Sequence, residues 1–295
     1  MNYRITHLTF YEYGAPVTVS HHAARFEPRE IPAQECQQFS LQIHPEPALR
    51  KNRTDYFGNQ VCFFSIQQIH TRLEVSAESV VRVARTPAPA TVSSPPWEEV
   101  AELFRETAPA EFLDAYEFIF DSPQIRCSPG LAEFAQQSFV PKRPLIEGVR
   151  ELNHRIYTEF AYDNQATTVA TPLKDVFAQR RGVCQDFAHI AIACLRSLGL
   201  PARYVSGYLR TQPKEGKEQL RGADASHAWF SVFCPSTGWV DFDPTNDVMP
   251  ANEHIAIGFG RDFTDVSPLS GMIVGGGQHQ AQVAVTVAEA PASST

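Results

Sequence analysis

Cys184 opens a run of fifteen residues, Cys184 to Leu198, that contains neither glycine nor proline. Within it Ala188, Ala191, Ile192, Leu195 and Leu198 recur at three- and four-residue steps, the spacing of one helical face. Gly199-Leu200-Pro201 stops that helix, and Gly182 gives a flexible approach just ahead of Cys184. Cys184 is therefore expected in the first turn, where unpaired N–H groups and the helix dipole favour an anion. A thiolate held there is a nucleophile. Asp186 would oppose a free thiolate unless helix N–H groups engage it. Cys194, in the same helix, reads as a small buried hydrophobe.

The second chemical segment runs His227-Ala228-Trp229-Phe230-Ser231-Val232-Phe233, through Cys234-Pro235-Ser236-Thr237-Gly238, to Trp239-Val240-Asp241-Phe242-Asp243-Pro244. The Pro/Gly-containing centre joins two strands as a hairpin. Even positions on both arms are apolar and odd positions carry His227, Trp229, Ser231, Trp239, Asp241 and Asp243, so the histidine and both acids share one face of the hairpin. If Phe233 opposes Trp239, Asp243 becomes the diagonal neighbour of His227 on that face. A slip of one residue would break the apolar pairing of the other face. Asp241 competes for the same histidine, but it lies nearer the turn. A helix-start cysteine, a histidine to take its proton and an acid to orient that histidine form a nucleophile–base–orienter unit. The gaps of 43 and 16 residues are far shorter than a papain-type Cys–His separation.

The elements that must position these groups follow from patterning. Residues 1–85 read as an antiparallel β-domain, sandwich or barrel, from alternating runs such as Tyr3 to Tyr11 and Val61 to Ile66 separated by turn signals. Residues 86–96, TPAPATVSSPP, form a proline-rich linker. Residues 97–265 hold a helical lead-in, with candidates at 97–104, 131–139 and 146–160, followed by the segments described above. Residues 266–295 carry one strand, near Gln282 to Val287, and a frayed small-residue tail. Gly275-Gly276-Gly277 reads as a hinge, since no lysine follows it as a phosphate loop would require.

The 295-residue chain is 43% apolar and 20% charged, ordinary globular values, which exclude wholesale disorder. A net charge of −8 without a basic block argues against nucleic-acid binding. No apolar run is long enough to span a membrane, and the N-terminus lacks a secretory pattern. Six cysteines without a CxxC pair indicate reduced thiols rather than a disulfide framework or a structural zinc site, and hence a cytoplasmic setting. His21-His22 lacks a third ligand, so no metal and no cofactor is expected. The oligomeric state is not legible.

Three stretches together resemble the transglutaminase-like superfamily, in particular the bacterial proteins with an extra N-terminal β-domain. They are RRGVCQDFAHIAIACLRSLGLPARYVSGYL (180–209), SHAWFSVFCPSTGWVDFDPTND (226–247) and Phe160-Ala161-Tyr162. Tyr56-Phe57-Gly58-Asn59 and Gly260-Arg261-Asp262-Phe263 are similar to the N-terminal domain and the C-terminal segment of such proteins. The resemblance implies an α+β fold with a papain-like/transglutaminase core, in which a helix bearing the cysteine packs on an antiparallel sheet. It implies Cys184, His227 and Asp243 as the catalytic triad. The expected reaction is attack on a carboxamide, with backbone N–H groups and Tyr162 as candidate oxyanion donors. The thioester would be resolved by water, as in a cysteine protease or amidase acting on a peptide or protein amide. The alternatives are resolution by an amine, as in a protein–glutamine acyltransferase, and a non-catalytic binding protein that retains the fold.

Overall fold

The computed structural model describes residues 1–85, 93–106, 110–210 and 226–290. Most of the proline-rich linker and the terminal 291–295 lie outside the described residues.

The chain begins with five strands: β1 (Asn2–Ala24), β2 (Gln34–His44), β3 (Leu49–Thr54), β4 (Gln60–Ile66) and β5 (His70–Val83). They form one antiparallel sheet in the order β2-β5-β1-β4-β3. The 23-residue β1 spans both halves of it. Its first half pairs with β5 and its second half with β4, with the register shifting between Glu12 and Val17. Alternation dictates the buried face: Tyr3, Ile5, His7 and Thr9 point inward along β1. Residues of both halves, including Val17, Leu41, Phe64 and Leu73, share one apolar cluster.

The helical lead-in contains α1 (Trp97–Glu106), α2 (Leu113–Tyr116), α3 (Pro129–Gln136) and α4 (Leu145–Glu159). Ser128 caps α3 by accepting from the Leu131 N–H, and a proline occupies the start of that helix. Next come β6 (Ala161–Tyr162), α5 (Leu173–Gln179), β7 (Arg181–Gly182) and α6 (Cys184–Ser197). The antiparallel sheet β10-β9-β8-β11 completes the core, from β8 (Ala202–Leu209), β9 (Ser226–Cys234), β10 (Gly238–Phe242) and β11 (His254–Gly260). The short α7 (Phe263–Val266) follows, capped by Asp262. The apolar stripe expected on α6 extends all round the helix, since every residue from Asp186 to Arg196 is buried. Strands β8 and β9 cover one side of α6 and helices α3, α4 and α5 the other, so α6 is the central element of the core.

The C-terminal segment departs from expectation. It holds two strands rather than one, β12 (Leu269–Gly275) and β13 (His279–Glu289), and both pair with β1 in the N-terminal sheet. Strand β12, LSGMIVG, carries two glycines and little alternation, which hid it. The Gly275-Gly276-Gly277 segment is the turn between the two strands, and all three glycines have positive φ. No helix among the described residues is long and apolar enough to cross a membrane.

The β-domain also covers the open edge of the core sheet. Strand β11 is an edge strand, and its unpaired backbone groups meet two side-chain amides. Gln34 donates to the Ala256 carbonyl and accepts from the Ala256 N–H, each at 2.8 Å. Asn59 does the same for Phe259, again at 2.8 Å for both bonds. This gives the Tyr56-Phe57-Gly58-Asn59 turn its purpose: Gly58, at φ 79°, presents Asn59 to the neighbouring domain. Tyr3, Ile5 and Val81 then pack against Tyr208, Ile255 and Ile257 across the junction.

Candidate functional site

Cys184 is the first residue of α6 and is partly exposed. Asp186, three positions after the helix-capping Val183, turns back over the helix start. Its Oδ2 accepts from the Val183 N–H at 2.9 Å and from the Thr167 hydroxyl at 2.6 Å. The carboxylate is therefore engaged by the backbone rather than opposing the thiol. Burial raises its pKa despite those hydrogen bonds. Gly182 is small for a steric reason: a Cβ there would lie 2.5 Å from Asp186 Oδ2. The glycine read as a flexible approach is thus the space into which Asp186 folds.

The hairpin pairs Trp239 with Phe233, Val240 with Val232 and Phe242 with Phe230, the register that alternation predicts. Pairing continues one step further, to Cys234 and Gly238, and Gly238 takes φ 78° to close the turn. His227 Nε2–H donates to Asp243 Oδ2 at 2.7 Å. The Cys184 thiol lies close enough to the same ring to raise its pKa, and Nδ1 is the ring nitrogen that the Asp243 bond leaves open. Both His227 and Asp243 are buried. Burial alone would lower the pKa of His227, but the Asp243 carboxylate and the nearby Cys184 thiol outweigh it and raise the value to about 10. Burial likewise pulls Asp243 upward, and the bonds from His227 and His254 reverse this, holding it well below the usual carboxylate range. Asp241, the competing acid, bonds Ser231 and Arg85 instead.

Two further residues complete the acid's surroundings, and neither stood out in the sequence. His254, at the start of β11, donates from Nε2 to Asp243 Oδ2 at 3.0 Å. Asn246 donates to the same oxygen from Nδ2 at 2.7 Å. The other oxygen, Oδ1, accepts from the Thr245 N–H at 2.9 Å. The Thr245 contact is an Asx-type turn that the Asp243-Pro244-Thr245 spacing foreshadows. No local pattern ties His254, eleven residues on, to Asp243. Trp229 packs edge-on against His254 at 5.3 Å between ring centroids. The ligand atoms of His227, Asp243 and His254 lie within 4.8 Å of one another, a spacing that could hold a metal ion, but here the two Nε2 atoms converge directly on Oδ2.

Tyr162 lies on β6, whose parallel pairing with β7 sets it opposite Gly182. Its ring meets Phe187 edge-on at 6.3 Å. The residue is largely exposed, and its partial desolvation, then the nearby Cys184, raise its pKa. His189 is buried in α6, where its Nε2 accepts from the Phe263 N–H at 3.2 Å, a packing role. A cavity of about 550 Å³ abuts the first turn of α6 through Gln185 and Asp186. Leu131, Phe177 and Pro172 wall it, with Arg126 and Lys174 also contributing to its lining.

Two stretches of the chain match known families. Residues 3–82 match the bacterial transglutaminase-like N-terminal region, and residues 132–244 match the transglutaminase-like superfamily core. An uncharacterized protein of Mycobacterium tuberculosis is 41% identical over 278 residues, covering 92% of this chain and 87% of that protein. One from Mycobacterium leprae is 32% identical over 290 residues, covering 96% and 97%. The protein-glutamine gamma-glutamyltransferase of Pseudomonas aeruginosa is 32% identical over 125 residues, 41% of this chain and 18% of its own length. The crystal structure of a candidate cysteine protease from Cytophaga hutchinsonii shares the fold, with a TM-score of 0.74 at 22% identity over 100% of this chain and 92% of that one. The chain belongs to the transglutaminase-like superfamily and carries its bacterial N-terminal region.

Proposed function

We propose that this protein is a cysteine-dependent amide hydrolase acting on peptides or proteins through Cys184, His227 and Asp243. The observation that carries this reading is the bond from the His227 ring to the buried Asp243 carboxylate, with the partly exposed Cys184 thiol near enough to that ring to raise its pKa. His227 takes the Cys184 proton at Nδ1, and Asp243 holds the resulting imidazolium through Nε2–H. The thiolate attacks the amide carbonyl carbon, forming a C–S bond. The oxyanion is met by first-turn N–H groups of α6, which have no acceptor within the helix, with the Tyr162 hydroxyl alongside. His227 then protonates the leaving nitrogen, the C–N bond breaks and a thioester remains. Water, deprotonated by His227, attacks the thioester and releases the acid. Apolar substrate side chains fit the cavity beside Gln185 and Asp186.

A second reading shares every step up to the thioester, which an amine rather than water then resolves. Its support is the likeness to the Pseudomonas aeruginosa enzyme over part of this chain. The two readings are separated by incubating the wild type and Cys184→Ala with a casein digest, with and without a fluorescent primary amine. Hydrolysis gives new peptide N-termini or free acids whether or not the amine is present. Transfer gives amine-labelled peptides at their expense. If neither product depends on Cys184, both readings fail and a binding role takes their place.

A further inference from the structure

A second cavity, of about 510 Å³, lies at the junction of the two domains, away from Cys184. Arg85 enters it from the end of β5, and Arg203 and Asp241 enter it from the core sheet. Ile31, Trp239 and Met249 supply apolar walls. The charges do not balance: Asp241 is the single carboxylate among the described lining residues, against two guanidinium groups. Ser231 already donates to Oδ1 of Asp241, and Arg85 Nη1 to Oδ2 at 2.9 Å.

The guanidinium groups keep donors to spare. The Arg85 side chain is only 9% exposed, yet its Nε and Nη2 are buried without a partner. Arg203 is clamped between rings, its guanidinium 4.2 Å from the Trp239 centroid and 3.7 Å from that of Phe259. Its Nε is also buried without a partner. A buried donor left unsatisfied costs about 1–3 kcal/mol, and more when charged. Two guanidinium groups with unspent donors, lining a cavity with one shared carboxylate, favour an anion with two in-plane oxygens. The volume lies within the usual range for small-molecule sites. Burial, moreover, lowers Arg203 to about 9, as expected of a cation short of counter-charge.

We propose that this interdomain cavity binds an organic carboxylate whose apolar or aromatic body packs against Trp239, Met249 and Ile31 while its oxygens meet Arg85 and Arg203. The carboxylate can belong to a free small acid or to the C-terminus of a peptide. The inference is independent of the chemistry at Cys184.

Calorimetric titration of the full-length protein tests it with three probes: benzoate, N-acetyl-phenylalanine and the primary amide of the latter. Wild type should bind a carboxylate probe at one saturable site, and the amide at least ~10-fold more weakly, as loss of a charged hydrogen bond requires. Benzoate binding as well as N-acetyl-phenylalanine identifies a free acid as the ligand class, and a clear preference for the latter identifies a peptide C-terminus. Arg203→Gln should abolish binding by removing a cation. Ala33→Phe should abolish it by filling the cavity with both arginines in place, and neither should alter the alkylation rate of Cys184. The proposal is overturned if the folded wild type gives no saturable heat with either carboxylate, in which case water alone fills the cavity. It is equally overturned if the amide binds as tightly as the acid, or if both variants bind like wild type.

Discussion

Replacing Asp243 with asparagine keeps the shape of the side chain and removes its charge. In the wild type this fully buried carboxylate accepts hydrogen bonds from His227, His254, Asn246 and the Thr245 N–H. Removing one partner of a buried ion pair costs about 3–5 kcal/mol, because the other charge stays buried alone. The pH dependence follows from the directions of the shifts. The folded-state pKa of His227 is raised to about 10, so its share of stability is complete below the unfolded value near 6.5 and is lost as pH rises through 10. Asp243 is held low, so its share is present above the unfolded carboxylate value near 4 and is lost as pH falls towards the folded value. The stability difference between wild type and Asp243→Asn should therefore peak between about pH 4 and 6.5 and shrink towards pH 10. In the variant His227 should titrate well below 10, and turnover should fall by roughly 10³–10⁴-fold because the imidazole loses its orienting acceptor. Urea unfolding across pH, with an NMR titration of the His227 ring, measures both quantities. A pH-independent stability difference, or a His227 that still titrates near 10 in the variant, would refute the reasoning.

Three further substitutions probe the surroundings. His254→Phe removes a donor to Asp243 and should cost about 1–3 kcal/mol in thermal or urea unfolding and lower turnover about 10-fold, with His254→Gln restoring part of both. Gly182→Ala pushes a methyl group against Asp186 and should destabilise by about 1–3 kcal/mol. It should also slow alkylation of Cys184 by up to about 10²-fold, since the helix start must shift; unchanged kinetics would count against the Asp186 cap as a positioning device. Asn59→Ala strands the N–H and carbonyl of Phe259, about 1–3 kcal/mol for each group. Hydrogen exchange should then accelerate along β11, and a change confined to the 54–60 turn would contradict its bridging role.

Much of the site was legible because its parts are local. Alternation and the Pro/Gly turn set the hairpin register, and register alone brings His227 and Asp243 together. Unbroken helical spacing after Gly182 placed Cys184 at a helix start. What escaped is what the tertiary fold decides. His254 reaches Asp243 because β11 lies beside β8, at the sheet edge away from β10. Strand β12 is stabilised by pairing with β1 roughly 250 residues earlier, and its own sequence carries little strand signal. Arg203 stacks between Trp239 and Phe259, a structural role, but its unpartnered Nε is visible only with both domains in place.

The central claim is that His227 activates Cys184. It is tested most directly by the rate of iodoacetamide alkylation at each cysteine, mapped by mass spectrometry from about pH 6 to 9, in wild type and His227→Ala. Burial pushes Cys36 up to about 11 and also raises Cys62, so both provide slow internal references. The account predicts that Cys184 alone reacts fast near pH 6 in the wild type, and that His227→Ala brings it down to a rate that climbs with pH. A wild-type Cys184 that reacts no faster than Cys36 or Cys62 near pH 6, or one indifferent to His227→Ala, would contradict it.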